Sequence, residues 1–105
     1  MPSNHALDSI ENFRRESLSL LLQIDQNIRE LSAWTRMHEG RPSRALVEDM
    51  NRLKLRRTSL IRLLEELEGA SSAYWAVRKK DAQRLFRRGR AALQSVTETI
   101  GRSQR

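Results

Sequence analysis

The sequence predicts an all-α fold, an elongated up-down-up antiparallel three-helix bundle of coiled-coil-like character, and three observations carry that prediction. Apolar residues recur at spacings of three and four through three long blocks. Two short breaks separate the blocks, Gly40-Arg41-Pro42-Ser43 and Gly69-Ala70-Ser71-Ser72. Each pairs a glycine suited to a left-handed helix end with a serine suited to capping the next helix. Composition agrees: 38% hydrophobic beside 31% charged, with four Gly and two Pro in 105 residues, suits one helical domain with a narrow core. Breaks this short make consecutive helices antiparallel.

Helix one is expected over about residues 5–38, with Ser3 or Asn4 as cap and with Asp8 and Glu11 favouring its N-terminal dipole. Its stripe is Leu7, Ile10, Leu21, Ile24, Ile28 and Leu31, flanked by Phe13 and Leu20 and interrupted at Arg14 and Ser17. Helix two, over 44–68, carries Leu46, Met50, Leu53, Leu60, Leu64 and Leu67, with Arg57 in the interrupted place. Helix three, over 72–100, aligns Trp75, Ala82, Leu85, Gly89, Leu93, Val96 and Ile100, and leaves 101–105 as a frayed tail. Each stripe holds few large apolar residues, so the core is thin enough to accept a second copy of the chain or a partner's helix.

Polar residues inside the stripes need partners. Asp25 and Arg57 fall at the same level of antiparallel helices and are expected to form a structural ion pair that sets register more than it adds stability. Arg14 comes level with Glu65, Glu66 and Tyr74 and is expected to pair there; an alternative groups Arg14, Arg57 and Arg78 around an anion pocket. The run Glu65-Glu66-Leu67-Glu68 places acid at a helix C-terminus, against the macrodipole, so Arg14, or Arg78 with Lys79, should compensate it.

Catalytic signatures are missing. With zero Cys there is no disulfide, thiolate metal site or thiol nucleophile. His5 and His38 stand 33 residues apart without a second ligand or a triad partner, and no glycine-rich phosphate loop occurs. Adjacent carboxylates in the acidic run do not face each other on a helix. The expectation is therefore a protein that is not an enzyme, with no catalytic, cofactor-binding or metal-ligating residue. The longest apolar run, Ala73-Tyr74-Trp75-Ala76-Val77, is far short of the ~20 residues of a membrane-spanning helix. The first residues lack the pattern of a secretory signal, so the expected location is cytoplasmic.

Charge is unevenly placed. The net charge of +7 equals that of residues 69–105 alone, which hold nine basic and two acidic residues, while residues 1–40 carry −2. Helix three thus turns a basic face, Lys79, Lys80, Arg84, Arg87, Arg88 and Arg90, away from its apolar stripe, and these are the expected partner-binding residues. Trp34 and Met37 drift off the stripe of helix one and are expected as an apolar anchor for a partner, or else to fold over the bundle end beside Leu46 and Val47. Trp75 is placed in the core and Tyr74 at its rim. The functional expectation is a non-catalytic protein–protein interaction module, an adaptor, assembly factor or small chaperone-like subunit. It would dock through helix faces onto a protein with an acidic surface or a complementary helix, or onto a second copy of itself. Nucleic acid ranks second, because a phosphate backbone would suit the basic face while no helix-turn-helix spacing or aromatic platform accompanies it. A plain solvated face is the remaining alternative.

Overall fold

Three serines open three helices. In the computed structural model, which describes residues 7–37 and 43–103, α1 spans Ile10–Met37, α2 Arg44–Leu67 and α3 Ser72–Ser103. The hydroxyl of Ser9 accepts from the Asn12 amide, that of Ser43 from Leu46 and that of Ser71 from Tyr74, each at 3.1 Å. Every helix thus satisfies one of its otherwise unpaired first amides with a side chain. The N-cap at Ser9 moves the start of the first helix later than residue 5. Leu7 and Asp8 form a turn instead, with Leu7 buried in the core. Ser3, Asn4, His5, His38, Gly40 and Pro42 lie outside the described residues.

At the other ends, glycine acts where its backbone is left-handed. Gly69 has φ of 72° and lets the chain leave α2. Gly101 takes no such conformation, so α3 continues to Ser103 rather than ending at 100. Its last turns are held by Thr99, bonded to Asp49, and by Ile100 packed against the core.

Cross-helix contacts set the topology. Arg14 reaches the Leu67 carbonyl and Arg57 reaches Asp25, so α1 and α2 run antiparallel. Glu66 meets Arg78 while Asp49 meets Thr99, so α2 and α3 are antiparallel as well. Trp75 lies by Asp8 and Ile100 by Trp34, which makes α1 and α3 parallel. The product is the expected three-helix bundle, elongated at 52 × 28 × 18 Å.

The core runs the length of the bundle. At one end the Phe13 ring packs on Trp75 at 5.3 Å and edge-on to Phe86 at 6.2 Å between centroids. In the middle Gly89 allows α3 close to its neighbours: a methyl group there would lie 3.0 Å from Leu60 Cδ1 and 3.4 Å from Leu20 Cδ2. Leu31, Leu46, Leu53 and Val96 extend the core toward the other end. At two places the buried residue is the neighbour of the one the periodicity marks. Phe86 and Leu63 are buried, whereas their neighbours Leu85 and Leu64 are half-buried. One residue turns the helix by 100°, and the larger ring of Phe86 takes the deeper place beside Phe13. No helix among the described residues is long and apolar enough to cross a membrane.

Candidate interaction surfaces

The outward face of α3 is set by what the inward face buries. Ala82, Phe86, Gly89, Leu93 and Val96 point into the bundle, so Lys80, Arg84, Arg87 and Arg88 project from the opposite side, where they fence a shallow groove over Ala91 and Gln83. All four are exposed. Among the described residues Lys80, Arg87 and Arg88 have no acidic partner, and Arg84 comes only to 4.0 Å from Asp81. Val77, 77% exposed, leads into this face, three residues before Lys80 and seven before Arg84. The periodic reading passed over it because an isolated valine outside the apolar stripe gives no sequence signal.

The other two expected members serve the bundle itself. Lys79 Nζ lies 3.4 Å from Asp8 Oδ1, which ties α3 to the turn before α1. Arg90 places its guanidinium 5.5 Å from the centre of the Phe86 ring, a cation–π contact at the edge of the core. The basic face is therefore narrower than the six residues expected of it.

The expected apolar anchor is divided. Met37 is 81% exposed. Trp34 is half-buried against the core and lines a pocket with Glu30, Leu31 and Ile100. The space beside Leu46 and Val47 is lined by Leu31, Thr35 and Met50, and neither Trp34 nor Met37 lines it. Trp75 is buried, its indole N–H donating to the Asp8 carbonyl at 2.9 Å, and Tyr74 lies at the rim with its hydroxyl on Glu66.

The polar residues of the stripes go to separate partners. Arg57 Nε donates to Asp25 Oδ1, the pairing expected from their shared level. Arg14 does not pair with Glu65, Glu66 or Tyr74. Its guanidinium donates to the Leu67 carbonyl at the end of α2, which also accepts the Ala70 amide at 3.0 Å. Arg78 takes the acid instead, with Nε 2.6 Å from Glu66 Oε2 and Nη1 3.1 Å from Asp81. Arg14, Arg57 and Arg78 thus form no common anion pocket. Glu66 accepts from the Tyr74 hydroxyl at 2.6 Å as well. That bond first, then Arg78, holds the Glu66 carboxyl below its ordinary 4.5, while the same hydrogen bond pushes the Tyr74 phenol above 10.0.

A second polar node had no counterpart in the sequence reading. Asp49 accepts from Thr99 at 2.7 Å and from Ser95 at 3.4 Å across the α2–α3 seam, and holds Arg52 at 3.1 Å. The signal available was weak: two hydroxyls four residues apart on α3. Among the described residues no three His, Cys, Asp or Glu side chains cluster as metal ligands. What these arrangements do chemically is fasten helices and attract anions. Comparison with known protein families, with curated proteins and with solved structures finds no match to this chain.

Proposed function

We propose that this chain is a non-catalytic, cytoplasmic interaction module that docks through the outward face of α3 onto an acidic protein surface. The observation that carries this reading is the group Lys80, Arg84, Arg87 and Arg88, exposed opposite the core, three of them without an acidic partner among the described residues. A span of eight residues puts the four charges within about 12 Å along the helix axis. Charge of this kind steers association and selects partners more than it adds raw affinity. Val77 on the same face supplies apolar area, which favours a protein surface over a phosphate backbone. Met37 offers a further exposed apolar contact at the far end of α1.

A nucleic-acid backbone is the second reading, favoured by the same four cations. The face carries no aromatic ring on which a base could stack, so it ranks lower. The test is a paired titration of an acidic peptide and a short DNA duplex against the wild type and against the variant Lys80→Glu, Arg84→Glu, Arg87→Glu, Arg88→Glu. Peptide binding that the variant loses supports the docking reading. Duplex binding tighter than peptide binding, and falling linearly with log salt, transfers the face to phosphate. Equal binding by wild type and variant sinks both.

A further inference from the structure

The outer side of α1 carries Glu11, Arg15, Leu18, Leu22, Asp25 and Arg29 at successive steps of four, three, four, three and four. That alternation is the 3.5-residue period of a coiled-coil seam, and it keeps all six within an arc of about 80°. The seam is not the one the bundle uses. Phe13, Ser17, Leu20, Ile24 and Leu31 are buried on the other side of the helix, while Leu18 is 56% and Leu22 70% exposed. Glu11, Arg15 and Arg29 are exposed and have no ion-pair partner among the described residues. Asp25, half-buried, spends one carboxylate oxygen on Arg57.

The order of these residues is acid, base, Leu, Leu, acid, base. Laid antiparallel on a second copy about a two-fold axis level with residue 20, the stripe sets Glu11 opposite Arg29 and Arg15 opposite Asp25, with Leu18 opposite Leu22. Each charge pair occurs twice, as a two-fold interface requires. A parallel pairing would set every charge against its like. The charge pattern therefore specifies both the occupant and its orientation.

We propose that this face of α1 is a self-association surface, and that its occupant is a second, antiparallel copy of the chain. The stripe is about 27 Å long and narrow, which makes a reversible, salt-sensitive dimer rather than an obligate one. It leaves the α3 face of each copy uncovered.

Sedimentation over a range of protein and salt concentrations tests the proposal, with circular dichroism checking that each variant stays helical. Wild-type mass should rise toward twice the monomer with concentration, and Leu22→Glu should remain monomeric. Glu11→Arg and Arg29→Glu each place like charges opposite one another twice, and each should need about tenfold more protein to dimerise. Mixed in equal amounts, the two charge variants complement each other at both sites and should return to wild-type behaviour. A wild type that is monomeric at every concentration overturns the proposal. So does a dimer indifferent to Leu22→Glu, or a mixture no better than its components.

Discussion

Ser17 is fully buried and its hydroxyl has no hydrogen-bond partner among the described residues. An unpaired buried hydroxyl costs about 1–3 kcal/mol, and alanine is the better helix former. Ser17→Ala is therefore expected to stabilise the bundle by about 1 kcal/mol, read as a rise in melting temperature of about 4–8 °C. Gly89 works in the opposite sense. Its missing side chain is what admits Leu60 and Leu20, so Gly89→Val should cost about 1–3 kcal/mol through overpacking, as thermal melts would show. In the sequence Ser17 reads as an interruption of its stripe and Gly89 as a small member of one. What the sequence left open was their sign, because whether a small residue marks a gap or a close approach depends on the facing helix. Phe86 escaped for a related reason: Leu85 fits the same period one residue earlier, and only the Phe13 ring decides between them.

At the scale of the helices, the turn from α2 to α3 is fastened by Glu66, which accepts from Tyr74 and Arg78 on the first turns of α3. The folded-state pKa of Glu66 is depressed, first by the Tyr74 hydroxyl and then by Arg78. Its contribution is thus complete above the ordinary value of 4.5 and is lost as pH falls through the lower folded value. The Tyr74 pKa is raised, so the same bond holds up to pH 10.0 and is lost as pH climbs through the higher folded value. Tyr74→Phe should therefore melt below wild type at neutral pH, with the gap closing in strong acid and in strong base; a gap constant across pH would show that the hydroxyl acts only by packing. Ser43, Ser71 and Gly69 could be read from the sequence because capping is local chemistry. Arg14 could not, since its level on the bundle offered acids as readily as the Leu67 carbonyl it takes. Asp49 was hidden altogether, its partners lying 46 and 50 residues away.

For the whole molecule, the order of helices followed from loop length and the location of charge from counting, and the structure narrowed the basic face to four residues by assigning Lys79 and Arg90 to the bundle. Four cations on one short stretch of helix repel one another, and against that repulsion the described residues set only the 4.0 Å approach of Asp81 to Arg84. Salt should relieve it. Between about 0.01 M and 0.5 M salt the Debye length shrinks from about 30 Å to a few ångströms, so wild-type melting temperature should climb by several degrees. In the variant Lys80→Gln, Arg84→Gln, Arg87→Gln, Arg88→Gln, melting should begin higher at low salt and rise less. A variant that melts lower at every salt concentration would show instead that the four cations contribute to the stability of the folded state. Such a salt response, measured in the absence of any partner, would show that the face costs stability where it stands, and in that way bears on the docking reading.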